Sequence, residues 1–175
     1  MFITQSSSKS TLIEILSCIL LLFLMAQIRI PLQPVPITLQ SLGVMLIGLK
    51  FSRKTAFYSV LTYISLGAAG FPVLANFSSG YHILLGPTGG YLIGFLAAVI
   101  VMGEVNELLN SKYRSLVCNS LSCLAGTVTI FVCGVSWLAI YVGLEQAIMV
   151  GVLPFILPGL VKIFLLVAVL QYLKK

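Results

Sequence analysis

One charge interrupts the apolar run between Glu145 and Lys174, and it is a cation, Lys162. A lysine at the centre of a bilayer costs roughly 2.5–3.5 kcal/mol on insertion scales. The cost falls when the ammonium meets an acceptor, a water-filled cavity or an anionic ligand. The chain contains no aspartate, and no glutamate stands near Lys162 in sequence. A ligand is therefore the natural partner for this residue. The competing reading is a snorkelling side chain, because Pro154 and Pro158 could bring this helix end close to the interface.

Other chemistry is sparse. Glu14, Glu104, Glu107 and Glu145 are far apart and flank apolar runs, so they form no acid–base pair; Glu104 and Glu107 read as a solvated cluster with Lys112 and Arg114. No serine-nucleophile motif, HExxH or phosphate-binding loop is present. Cys18, Cys118, Cys123 and Cys133 lie in apolar runs without a CxxC and read as small buried apolar residues. His82 stands alone, a weak metal ligand in a loop. The reading is a non-enzyme with no catalytic residue, no metal and no bound cofactor.

The elements that position Lys162 follow from composition. With 59% hydrophobic and 8% charged residues over 175 positions, the chain is not a soluble domain, which carries about 25% charged residues. Residues 1–175 read as one integral membrane domain. The net charge of +6 is scattered singly between apolar runs, which argues against nucleic acid and for the positive-inside rule.

Spans need about 20 apolar residues. The first, 11–28, superficially resembles a signal peptide, but it lacks an A-x-A cleavage pattern and reads as retained. Pro31, Pro34 and Pro36 then break any helix. Further spans are expected at 37–49, 55–69, 89–102, 116–142 and 158–173, with a connector at 143–157 that has room for a short interfacial helix. This is an all-α bundle of six transmembrane helices. If Lys9 is cytoplasmic, so are Lys50, Arg53, Lys54, Lys112, Arg114, Lys174 and Lys175, and both termini lie inside the cytoplasmic membrane. Arg29 is left outside, where lipid headgroups are its expected neighbours. Gly43, Gly48, Gly67, Gly70 and the Gly90-x-x-x-Gly94 pair permit close helix approach.

Two polar, Gly/Pro-rich segments fall on the external side, 27–40 and 76–91. They are too apolar for free loops, and irregular backbone at membrane depth survives only where protein buries it or it lines a cavity. Both read as lids folded over the bundle. The pocket beneath would be apolar and aromatic, with a few amides and hydroxyls and one ammonium, the usual make-up of a small-molecule site. Asn76 supplies donor and acceptor for an amide- or urea-like group, and Lys162 adds affinity for a carboxylate or polarised carbonyl. The ligand suggested is a small amphipathic acid.

At these residues the chain resembles the BioY family, the biotin-specific substrate-binding components of energy-coupling-factor transporters. The resemblance rests on Ala26-Gln-Ile-Arg-Ile-Pro31, Pro34-Val-Pro-Ile-Thr-Leu-Gln40, Gly67-Ala-Ala-Gly-Phe-Pro-Val-Leu74, Leu85-Gly-Pro-Thr-Gly-Gly-Tyr-Leu-Ile-Gly94 and the region from Pro154 to Lys162. It implies six helices and biotin bound externally beneath loops after helices one and three. It also implies energising partners, a transmembrane coupling subunit and ATPase subunits. By that resemblance Asn76 and Lys162 hold the polar groups of biotin. Gln27, Thr38, Gln40, Tyr81 and Tyr91 are further candidates, for their polarity on the lid side. The chain departs from the family at Gly159, where an aspartate is usual, and in the first helix, where Ile15-Leu-Ser-Cys-Ile-Leu-Leu-Leu-Phe replaces an alanine pattern. Two other readings stand beside this one: a component for another small vitamin or organic acid, and a structural membrane subunit whose lysine binds lipid or a partner helix.

Overall fold

Proline and charge decide where helix gives way to loop. The computed structural model describes residues 8–110 and 113–173. Lys112, Lys174 and Lys175 of the charge pattern lie outside the described residues, as does the side chain of Lys9. Helix α1, Ser8–Gln27, ends just before a two-stranded antiparallel hairpin of β1, Arg29–Ile30, and β2, Ile37–Thr38. Helices α2, Gln40–Lys50, and α3, Arg53–Ala68, follow. A 3-10 turn at Ala75–Phe77 and the short α4, Tyr81–Leu84, lead into α5, Gly89–Asn110. Then come α6, Ser115–Val142, α7, Leu144–Gly151, and α8, Leu153–Tyr172. The six expected spans are α1, α2, α3, α5, α6 and α8, and the expected interfacial helix is α7.

Several boundaries move for physical reasons. The second span begins at Gln40, because Ile37 and Thr38 pair with the other arm of the hairpin. At about 1.5 Å rise per residue, α2 reaches only about half of a ~30 Å hydrocarbon layer. Helix α5 continues beyond Met102 to Asn110, and over this stretch Glu104 and Glu107 share one face and meet Arg53 at 3.7 and 2.5 Å. The acidic pair therefore joins α5 to α3. Helix α8 starts at Leu153, with Pro154 in its first turn, where a missing N–H is harmless, and Pro158 is accommodated inside the helix. Ser52 caps α3 by accepting from the Thr55 N–H at 3.2 Å.

Among the described residues, four segments are long and apolar enough to cross a membrane: Ser10–Gln27, Gly89–Leu109, Ser115–Val142 and Leu144–Tyr172. The chain is a multi-pass membrane protein. Its outer surface shows leucine and phenylalanine, among them Leu12, Leu16 and Leu20 on α1 and Phe164 on α8. Inside, one cluster joins Cys18 and Leu22 of α1 to Val60 and Tyr63 of α3 and to Phe95 and Val99 of α5. A second joins Met45 of α2, Met102 of α5 and Cys123 of α6 to Ile163 and Leu166 of α8. Helices α2, α5 and α6 have residues in both, and α2 packs against α1, α3, α5, α6 and α8, which places it at the centre of the bundle.

Close approach of α5 to α6 depends on Gly90 and Gly94. A Cβ at Gly90 would run into Trp137 and lie 2.6 Å from the Cys133 carbonyl, and one at Gly94 would lie 3.0 Å from Ile130 Cα. The GxxxG is thus an internal packing seam. Gly70 serves differently from the expectation: nothing crowds it, and its φ of 104° marks the turn that ends α3.

Candidate functional site

The loops at one end of the bundle border a partly open cavity of about 200 Å³. Its floor is Lys162, midway along α8, about 14 Å below the start of that helix at 1.5 Å per residue. The residue is only 8% exposed. Its ammonium donates to the Thr38 carbonyl at 2.7 Å and to Ser41 Oγ at 2.9 Å. Both acceptors are neutral and belong to β2 and α2. An ammonium has three N–H donors, so these two bonds leave one for a ligand. Snorkelling is not what this side chain does.

A polar chain runs on from that floor. Thr38 Oγ1 donates to Gln40 Oε1 at 3.1 Å and accepts from the Gln40 backbone N–H at 3.3 Å, a hydroxyl turn at the entrance to α2. Gln40 Nε2 donates to Tyr63 Oη at 2.8 Å, and Tyr63 donates to the Val73 carbonyl at 2.8 Å. Gln40 is 4% exposed and Tyr63 fully buried, so the bond between them is shielded, while those to Thr38 and Val73 are partly buried.

The walls are apolar. Tyr91, Phe95, Phe131 and Phe155 face the cavity. Tyr91 and Phe155 are stacked, with ring centroids 6.2 Å apart, and Phe131 meets Phe155 edge-on at 6.4 Å. Tyr91 Oη donates to the Gly151 carbonyl at 2.9 Å, tying α5 to the end of α7. Gly134 and Gly151 are the positions where a side chain would displace the Tyr91 ring or hydroxyl. The roof comes from Val35 and Pro36 of the hairpin and from Leu74, Ala75 and Ser78 of the α3–α5 connection. Both expected lid segments therefore cover the cavity.

Of the candidate residues, Lys162, Thr38, Gln40 and Tyr91 are brought together here. Gln27, Asn76 and Tyr81 are not among the lining residues. Gln27 holds the roof from outside: its amide donates to the Leu74 carbonyl at 3.2 Å and accepts from the Phe77 N–H at 3.0 Å. Asn76 is exposed, with its Oδ1 accepting from Arg29 at 2.7 Å. Asn76 and Phe77 both adopt positive φ, 61° and 53°, which turns the Asn76 side chain outward. Tyr81 is exposed with its ring edge-on to His82. Ser41, Phe131 and Phe155 were missed from sequence. Phe155 and Lys162 are seven residues apart on one helix face, a spacing that pointed to it. Gly159 lies on the same stripe, and a Cβ there would meet only Thr127 Cγ2, at 3.9 Å.

Among the described residues no three His, Cys, Asp or Glu side chains cluster as metal ligands, and the four cysteines are free thiols. The arrangement suits reversible binding of a small, largely apolar molecule with a polar pole.

Known proteins share this architecture. The probable biotin transporter BioY of Rickettsia prowazekii is 36% identical over 163 residues, 93% of this chain and 82% of that protein. The biotin transporter BioY of Thermotoga maritima is 42% identical over 151 residues, 86% of this chain and 87% of its own length. The crystal structure of the S-component for biotin from an ECF-type ABC transporter matches with a TM-score of 0.85 at 25% identity, covering 99% of this chain and 95% of that one. Residues 3–175 match the BioY family, and the chain belongs to it.

Proposed function

We propose that this chain takes up biotin as the substrate-binding component of an energy-coupling-factor transporter, holding it in the cavity above Lys162. The observation that carries the reading is the buried ammonium with neutral partners at the floor of an apolar, aromatic-walled cavity. Biotin has the matching chemistry: an apolar thioether ring and aliphatic chain, a fused ureido ring with two N–H donors and one carbonyl, and a carboxylate. The bicycle packs against Tyr91, Phe131 and Phe155, and an oxygen-bearing pole takes the spare N–H of Lys162. Gln40 and Thr38 contribute amide and hydroxyl contacts beside it. Asn76, Gln27 and Tyr81 act through the lid.

The protein sits in the cytoplasmic membrane with both termini inside and the lid outside. It is not an enzyme and needs no cofactor, and residues 1–175 work as one unit. No nucleotide-binding motif is present in the sequence, so a transmembrane coupling subunit and ATPase subunits supply the energy. Calorimetric titration of the purified protein, with other vitamins as competitors, tests the ligand. Growth of a biotin auxotroph expressing this chain, with and without an ATPase module, tests transport. Biotin heat uncompeted by other vitamins supports the reading. Displacement by a different vitamin would reassign the ligand, and the lack of any biotin-dependent melting shift would point to a structural subunit.

A further inference from the structure

The polar chain above Lys162 has a direction. Tyr63 has one proton, and it is given to the Val73 carbonyl at the root of the lid. Its oxygen can then only accept, so the Gln40 amide must present its NH2 to Tyr63 and turn its carbonyl towards Thr38 and the cavity. Gln40 lines the cavity, and Tyr63 lies behind it, fully buried. The next lid residues, Leu74, Ala75 and Ser78, form the roof. When the roof lifts and Val73 leaves, the Tyr63 hydroxyl is free to donate to the Gln40 carbonyl instead, and the amide can turn over.

We infer that Tyr63 is a positioning residue that makes the polarity of the binding site depend on lid closure. With the lid down, the site offers an acceptor, Gln40 Oε1, beside a donor, the Lys162 ammonium. That pair fits a ligand group carrying an N–H next to a carbonyl. With the lid up, the amide is unconstrained and the acceptor is no longer fixed. Closure and recognition are thereby one event: a ligand that accepts only, without an N–H, gains nothing from the fixed Gln40 acceptor. The assignment of the ligand rests on the biotin reading above, whereas the link between Tyr63 and the lid does not.

Tyr63→Phe keeps the ring and its packing and deletes only the hydroxyl. In the ligand-free protein, hydrogen exchange of the amides at 73–80 should be faster in Tyr63→Phe than in wild type. Biotin should dissociate about tenfold faster, since a buried carbonyl and amide lose their partner. The preference for biotin over an analogue methylated on a ureido nitrogen should shrink in the same variant, which a purely structural loss would leave intact. In a Gln40→Met background, Tyr63→Phe should remove no further discrimination. Wild-type exchange across 73–80, or an unchanged preference in a variant that binds biotin, overturns the inference, as does additivity with Gln40→Met. Should wild type fail to bind biotin, the ligand reading falls, and the exchange arm alone decides whether Tyr63 holds the lid.

Discussion

Replacing Lys162 with methionine separates ligand recognition from folding. The variant keeps most of the apolar stem and removes the ammonium with its two hydrogen bonds, to the Thr38 carbonyl and Ser41 Oγ. On the folding side two terms oppose each other. Removing a cation from the middle of a span relieves roughly 2.5–3.5 kcal/mol of insertion cost. Losing two charge-assisted hydrogen bonds gives back roughly 1.5–3 kcal/mol each. The net is a loss of at most about 3.5 kcal/mol, and the bundle should remain folded. On the binding side nothing offsets the loss. A ligand oxygen that met a desolvated ammonium now meets a thioether, and breaking one such contact costs about 2–5 kcal/mol. At 1.4 kcal/mol per decade, the dissociation constant for biotin should rise by a factor of about 30 to several thousand. Titration of the purified variant beside wild type, with melting curves of both, measures the two sides together. A variant that binds biotin within about threefold of wild type would refute the role given to Lys162.

Three other perturbations test neighbouring parts of the argument. Gly159→Asp places a carboxylate one turn before Lys162, where the nearest heavy atom to a Cβ is 3.9 Å away, so it should fold and bind biotin at least threefold more tightly by adding an acceptor for a ureido N–H; weaker binding in the titration would contradict this. Gly90→Val should wedge α5 from α6 at Trp137 and Cys133 and lower the melting temperature and the monodisperse fraction on size exclusion, at a cost of about 1–3 kcal/mol. Arg53→Ala removes a bridge between α3 and α5 whose partners Glu104 and Glu107 are mostly exposed, so it should cost under about 1 kcal/mol and leave biotin binding unchanged in the same titration.

The number and order of the helices were legible because their limits are written in residues with strong local physics. Pro31, Pro34 and Pro36 end the first span, and Lys50 with Arg53 and Lys54 interrupts the apolar pattern between α2 and α3. Extents were less legible wherever a long-range contact overrides the local signal. Glu104 and Glu107 look like the end of a span, yet α5 runs on through both, and they meet Arg53 on another helix. In the site, Lys162 declared itself by its cost, and Thr38, Gln40 and Tyr91 by polarity within apolar surroundings. The same polarity did not distinguish the inner face of the lid from the outer. Asn76 faces out because Arg29, 47 residues earlier, accepts its company, and because Gln27 fixes the positive-φ turn at Phe77. Ser41 is inconspicuous in sequence, and only the fold brings it to Lys162.

The neutrality of Lys162's partners is the point on which site and fold meet. Had the ammonium paired with a carboxylate inside the protein, the cavity floor would carry no net charge, and a ligand would compete with a strong ion pair. Thr38 and Ser41 satisfy two N–H groups without cancelling the charge, so the floor stays cationic while its desolvation cost is offset. The same two bonds tie α8 to the hairpin and to α2, the helix at the centre of the bundle. A ligand oxygen arriving at the third N–H therefore lands on a donor already held in place, with little orientation left to lose.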